Sequence, residues 1–97
     1  MRKVIVQKFG GTSVADTEKI KHVAQNVIRE KKNGNDVVVV VSAMGHTTDY
    51  LVKMAKDINP NPSGREMDML LSTGEGVSIA LLAMAIEAAG YDAVSFN

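Results

Sequence analysis

The residues best suited to chemistry lie within VIVQKFGGTSVAD, residues 4–16. Lys8 ends an apolar run, and after one residue the chain has Gly10-Gly11 and two hydroxyls. Glycines let the backbone approach a ligand closely, and the free N–H groups of a following helix attract anions. A lysine beside such a loop brings positive charge to a phosphoryl group in transfer. The pattern indicates a phosphate-binding loop made of Lys8, Gly10, Gly11, Thr12 and Ser13.

A plainer interpretation of the same loop is open. From K-x-G-G alone, a tight strand-to-helix turn with Lys8 merely solvated explains the residues equally well. The two familiar nucleotide motifs do not fit, because the P-loop places its lysine after the glycines and the dinucleotide fingerprint requires G-x-G-x-x-G. The loop therefore does not decide the function by itself.

Three further polar residues stand at predicted ends of elements. Ser42 follows five valines, so it lies at the carboxyl end of a strand near Lys8, although its hydroxyl could simply help the chain to turn. Thr47 or Thr48 is predicted to cap the second helix. Glu75 completes S-T-G-E, a capping box in which it reaches back to the N–H of Ser72.

The elements that must position these residues follow from the apolar pattern. Residues 3–9 and 37–41 are predicted as strands, the second apolar on both faces. The apolar spacing predicts an amphipathic helix over residues 13–32, capped by Ser13 or Asp16 and ended by Asn33-Gly34. Together they make a βαβ unit.

The second half of the chain is predicted to be mainly helical. One helix covers residues 48–58 and stops at N-P-N-P, and a capping box at residues 63–66 opens another through Leu71. Gly74 and Gly76 are expected to interrupt the pattern, which resumes as a buried helix over residues 77–89. Residues 92–96 are predicted as a third strand. The order implies an α/β layered domain with a mainly parallel sheet.

Composition narrows the classes of function. The chain has 97 residues, 11 basic and 11 acidic side chains and no cysteine. It suffices for one small core, and its balanced charge gives no reason to expect nucleic acid or an anionic membrane as partner. Disulfides and thiolate metal sites are excluded. The apolar run 37–41 is too short to cross a bilayer, and no secretory signal follows Met1, so a cytoplasmic protein is expected.

QKFGGTSV, residues 7–14, closely resembles the amino-terminal signature of aspartate kinases within the amino-acid kinase superfamily. Three more blocks agree in order and spacing: VVVVVSAMGHTTDYLV (37–52), REMDMLLSTGE (65–75) and SIALLAMAIEAAGYDAVSF (78–96). The likeness covers essentially the whole chain but about the first quarter of such an enzyme. K-x-G-G is shared with kinases for acetylglutamate or glutamate, whereas the Thr-Ser extension and the STGE block point to aspartate.

The resemblance implies a fold and a reaction. The fold is a three-layer α/β/α sandwich, the carbamate kinase-like fold of amino-acid kinases, with residues 1–97 as its amino-terminal part. The reaction is ATP plus L-aspartate to ADP plus 4-phospho-L-aspartate, the entry to lysine, threonine and methionine synthesis. Mg²⁺ accompanies ATP, held mainly by phosphates and by residues outside this chain, so no metal ligand is expected here.

The resemblance also implies roles for single residues. Lys8 is the catalytic residue and, with Gly10, Gly11, Thr12 and Ser13, binds the nucleotide phosphates. Ser42 lies in the substrate pocket, Thr48 contacts aspartate, and Glu75 pairs with the ammonium group of aspartate.

The same resemblance implies what lies outside the chain. The adenine pocket, the arginine that grips the substrate carboxylate and the regulatory ACT domains are expected downstream, so the 97 residues alone should not turn over. The partners are small molecules, and the whole enzyme is expected to be a homo-oligomer. Two alternatives remain: a non-catalytic α/β module that binds a small anion or a partner, and a kinase for another amino-acid carboxylate.

Overall fold

The computed structural model describes residues 2–96 of the chain. Five elements follow one another in the order strand, helix, strand, helix, helix. They are β1 (Val4–Phe9), α1 (Thr17–Lys32), β2 (Asp36–Val41), α2 (Thr47–Ile58) and α3 (Gly64–Ala88).

The two strands form a parallel pair with α1 as the crossover, which confirms the predicted βαβ unit. The register runs from Val4 opposite Asp36 to Phe9 opposite Val41. One face of the pair packs against α1 and α3 around a core that includes Val41, Val23 and Leu82. Burial alternates along β1 because successive side chains of a strand point to opposite faces.

The other face of the sheet is bare in the described part of the chain. Val4 and Val6 are 65% and 67% exposed, and Val38 and Val40 are 50% and 48% exposed. Strand β2 is apolar on both faces, as predicted, but within residues 2–96 it is covered on one face, because both contacting helices lie on the same side.

Helix α1 begins later than the sequence predicts. It starts at Thr17, because the side chain of Asp16 accepts a hydrogen bond from the N–H of Lys19 at 2.8 Å. Asp16, one of the two candidates, is the cap, and residues 11–14 form a turn instead of a first helical turn. Among the apolar positions that predicted this helix, Ile20, Val23, Ala24 and Val27 are buried and Ile28 is half-buried.

Helix α3 is a single helix of 25 residues. Ser63 caps it as predicted, accepting from the N–H of Glu66 at 3.3 Å. The predicted interruption at Gly74 and Gly76 is wrong, and so is the second capping box. Ser72 lies inside the helix, where its hydroxyl donates to the carbonyl of Met69 at 2.8 Å.

The length and composition of α3 alone would allow it to cross a membrane, with a mean hydropathy of 1.7 over its most apolar window. Its apolar run 79–86 is longer than the run at 37–41. The buried positions Gly74, Ser78, Leu82 and Ile86 recur every four residues, and the helix contacts α1, α2 and β2. This is the pattern of a helix that packs in a protein core.

The predicted strand at residues 92–96 is wrong, because these residues have no regular secondary structure and the sheet in the described residues has two strands. After α3, the N–H of Tyr91 donates to the carbonyl of Ile86 at 3.3 Å. Tyr91 and Ala93 pack against the core, and the segment borders a groove beside β2. The segment is therefore held by side-chain packing and not by pairing with a strand.

Candidate active site

Lys8 lies at the carboxyl end of β1, on the bare face of the sheet. Its side chain is exposed and its backbone is opposite Val40 in the register. Within residues 2–96, the Lys8 ammonium makes no hydrogen bond or ion pair with another side chain or carbonyl. The ammonium is therefore available to a ligand at this edge.

The glycine loop after Lys8 forms a tight turn that leaves donors free. The N–H of Ser13 donates to the carbonyl of Gly10 at 3.1 Å. The N–H groups of Gly11 and Thr12 have no hydrogen-bond partner in the described part of the chain. Lys19 holds the turn from α1, its Nζ donating to the carbonyl of Thr12 at 3.3 Å. Free backbone donors beside a lysine suit an anion such as phosphate.

The amino terminus of α1 does not contribute to the loop as the sequence predicts. The helix was expected to begin at Ser13 and to turn its free N–H groups toward the anion. Instead the carboxylate of Asp16 accepts the hydrogen bond from the N–H of Lys19, and Glu18 adds a second acid in the first turn. The donors for an anion therefore come from the turn at Gly11 and Thr12.

A second loop, residues 42–46, lies directly beside the glycine loop. The N–H of Gly45 donates to the carbonyl of Gly11 at 3.3 Å, and the N–H of Ser42 donates to that of Phe9 at 3.1 Å. Ser42 is half-buried. The two loops are thus joined at the carboxyl edge of the sheet, as parallel pairing of β1 and β2 predicts.

Helix α3 contacts this second loop through Gly74. A Cβ built on Gly74 would lie 3.0 Å from Cβ of Ala43 and 3.2 Å from Cγ2 of Thr47. Ala43 follows Ser42, Thr47 precedes Thr48, and Gly74 precedes Glu75. The direct neighbours of the three predicted aspartate ligands therefore contact one another.

Thr48 and Glu75 are both exposed at this point. The N-cap position of α2 is His46, which makes no side-chain capping bond, so the predicted cap at Thr47 or Thr48 is wrong. Both threonines lie in the first turn of α2. In the described residues, no hydrogen bond joins Lys8, Ser42, Thr48 or Glu75 to one another, which leaves these polar groups free for a ligand.

Sequence reasoning missed the small residues that hold the loops together. Gly45 has φ of +41°, and a Cβ there would lie 3.2 Å from the carbonyl oxygen of Ala15. Gly74 was interpreted as a break in a helix, although it is a contact point inside one. The only signal was the clustering of Ala43, Gly45 and Gly74 in blocks that also carry the polar candidates.

The part of the chain that the structure describes contains no group of three or more His, Asp or Glu side chains that could hold a metal ion. The residues present do suit the phosphates with which a metal would arrive, namely one free ammonium at Lys8 and free N–H groups at Gly11 and Thr12.

Residues 3–97 match the sequence pattern of the Amino acid kinase family. The chain belongs to this family. The match spans both loops, both strands and all three helices, so the family assignment includes the whole of the site just described.

Aspartokinases are among the similar members of the family. The chain is 70% identical over 94 residues to the aspartokinase of Geobacillus stearothermophilus and 62% identical to aspartokinase 2 of Bacillus subtilis. Each match covers 97% of this chain and 23% of the relative. The chain therefore spans about a quarter of the length of these relatives.

A solved structure agrees with the sequence relatives. The crystal structure of aspartate kinase from Synechocystis superposes with a TM-score of 0.92 at 59% identity, covering 94% of this chain and 16% of that one. At this identity the likeness extends beyond the fold. The chain has the amino-acid kinase fold, of which the described residues supply the parallel pair and the helices on one face.

Proposed function

We propose that this chain is part of an aspartate kinase, a phosphotransferase that converts ATP and L-aspartate to ADP and 4-phospho-L-aspartate. The observation that carries the proposal is the edge at which Lys8, the free N–H groups of Gly11 and Thr12, and Ser42 meet. The similarity to aspartokinases at 56–70% identity supports aspartate as the substrate. The product enters lysine, threonine and methionine synthesis.

In the proposed reaction, one carboxylate oxygen of the aspartate side chain attacks the γ-phosphorus of ATP. The new oxygen–phosphorus bond forms as the bond to the β,γ-bridging oxygen breaks, and ADP leaves with that electron pair. A free aspartate side chain has a pKa of about 3.9, so the nucleophile is ionised at neutral pH and needs no general base. Catalysis then depends on position and positive charge.

The residues divide between the two substrates. Lys8 places its ammonium by the transferred phosphoryl group, while Gly10, Gly11, Thr12 and Ser13 hold the phosphates through their turn. Mg²⁺, when bound with ATP, neutralises charge on the phosphates.

Ser42, Thr48 and Glu75 orient aspartate. Glu75 is exposed beside the contact between α3 and the loop 42–46, where its carboxylate can pair with the substrate ammonium. A hydroxyl at Ser42 and another at Thr48 can donate to substrate carboxylate oxygens.

The adenine pocket lies outside these 97 residues in this proposal, and the chain alone does not turn over. The bare valine face of the sheet, with Val6 67% exposed, supports this view, because a third layer is needed to bury it. The whole enzyme is proposed to be cytoplasmic and homo-oligomeric, acting on small molecules.

The test is ADP release by the complete protein, measured separately with aspartate, glutamate and acetylglutamate as acceptors. Aspartate should give kcat/KM at least tenfold above the other two, about 1.4 kcal/mol of discrimination. Preference for another acceptor would show that the protein is a kinase for a different carboxylate. Absence of acceptor-dependent ADP release would refute the proposed kinase activity and favour the non-catalytic anion-binding module. Robust turnover by the 97-residue chain alone would refute the proposal that part of the active site lies outside it.

A further inference from the structure

The glycines of this chain fall into two groups by what surrounds them. The chain has eight glycines. Five have open space where a side chain would begin: Gly10, Gly34, Gly64, Gly76 and Gly90. The other three, Gly11, Gly45 and Gly74, each meet neighbouring atoms within 4 Å. Gly45 belongs to the loop 42–46, and both Gly11 and Gly74 meet Ala43 of that loop.

Gly74 has the closest contacts of the three. Its Cβ would lie 3.0 Å from Cβ of Ala43, 3.2 Å from Cγ2 of Thr47 and 3.5 Å from Cδ1 of Leu51. The first two distances are well inside an ordinary carbon–carbon contact of about 3.5–4.0 Å. A methyl group at position 74 therefore requires α3 and its neighbours to move apart by a few tenths of an ångström, although the helix itself tolerates alanine.

Hydrogen bonds hold the backbone around Ala43 and Thr47. The loop 42–46 is tied to the glycine loop by the bond from Gly45 to Gly11, and to β1 by the bond from Ser42 to Phe9. The N–H of Thr47 also donates to the carbonyl of Met44 at 2.8 Å. A larger residue at position 74 would thus displace α3 and Glu75 with it.

We infer that Gly74 is a positioning residue that sets the separation of Glu75 from Ser42 and Thr48, and so controls aspartate binding. The inference rests on the proposed function. Its predicted effect is selective, because the contact lies between the three aspartate ligands. The phosphate-binding turn at Gly10–Ser13 meets this loop through Gly11 at backbone carbonyl oxygens, whereas Gly74 meets the side chains of Ala43 and Thr47.

The experiment compares Gly74→Ala with Gly76→Ala in the complete enzyme. Both add one methyl to the same helix, but the space around Gly76 is open. Gly74→Ala should lower kcat/KM for aspartate about 3- to 10-fold, because the shift is smaller than the ångström-sized misplacement that costs about 100-fold. Its KM for ATP should stay within about threefold of the parent value, and Gly76→Ala should leave both constants unchanged.

A compensating substitution makes the test specific. Ala43→Gly removes the atom nearest to the added methyl, so the double variant should recover most of the lost aspartate kcat/KM. If Gly74→Ala alone does not fold, the double variant should restore both folding and aspartate KM. An unchanged aspartate KM in Gly74→Ala, equal losses for ATP and aspartate, or a double variant without recovery would overturn the inference. An inactive parent enzyme would instead refute the proposed function.

Discussion

The N–H of Ser42 donates to the carbonyl of Phe9 at 3.1 Å, one step beyond the end of β2. Side chains alternate along a strand, and Lys8 is opposite Val40. Position 42 therefore continues the side of the sheet on which Lys8 and the exposed valines lie. The ammonium proposed for the phosphoryl group and the hydroxyl proposed for aspartate thus lie at the carboxyl ends of two adjacent strands.

Lys8→Met should lower kcat about 10²- to 10³-fold in the complete enzyme, because it removes a fixed positive charge from the developing phosphoryl charge. The matched control is Lys3→Met, an exposed lysine just before the other end of β1. Steady-state kinetics with saturating ATP and aspartate would measure both. Undiminished kcat in Lys8→Met would contradict the catalytic assignment.

Ser42→Ala should raise KM for aspartate about 10- to 100-fold, because a hydrogen bond to a charged group contributes about 1.5–3 kcal/mol. The control is Ser95→Ala, an exposed serine of the carboxyl-terminal segment. Isothermal titration with aspartate gives the affinity directly. An affinity equal to that of the control would leave Ser42 only a turn residue.

Glu75→Gln should weaken aspartate binding without lowering the melting temperature. The reason is that Glu75 makes no capping bond in the structure, since Ser72 lies inside α3 and bonds to Met69. Glu87→Gln, at another exposed position of α3, is the control. Thermal unfolding and aspartate titration separate the two roles. A lower melting temperature with normal affinity would support the capping box instead.

Asp16→Ala should lower the free energy of unfolding by about 0.5–2 kcal/mol, the usual cost of losing an N-cap. Ser13→Ala should leave stability unchanged, because Ser13 precedes the helix and caps nothing there. Urea unfolding monitored by circular dichroism measures both. The reverse order of effects would place the start of α1 at Ser13.

The sequence allowed correct prediction of those parts of the fold that depend on local pattern. The buried positions of α1 and the cap at Ser63 depend on residues within a few positions of each other, and the same local pattern narrowed the cap of α1 to Ser13 or Asp16. The place of Ser42 beside the end of β1, where its N–H bonds to Phe9, followed from the parallel strands.

Contacts between distant residues account for the errors. Gly74 was predicted to break a helix because glycine has low helix propensity, yet contact with Ala43 and Thr47 requires a residue without a side chain there. The missing strand at 92–96 has the same kind of cause, since β pairing depends on a neighbour that local pattern does not specify. The bond from Gly45 to Gly11, which joins the loops, has no signature in composition or spacing.

The unbroken course of α3 links Glu75 to the interior of the protein. A helix of 25 residues is about 37 Å long and behaves as a stiff rod. Glu75 lies on the same rod as Leu82 and Ile86, which are anchored in the core against α1. A substitution at either anchor that tilts α3 would therefore also move the carboxylate that is proposed to bind aspartate.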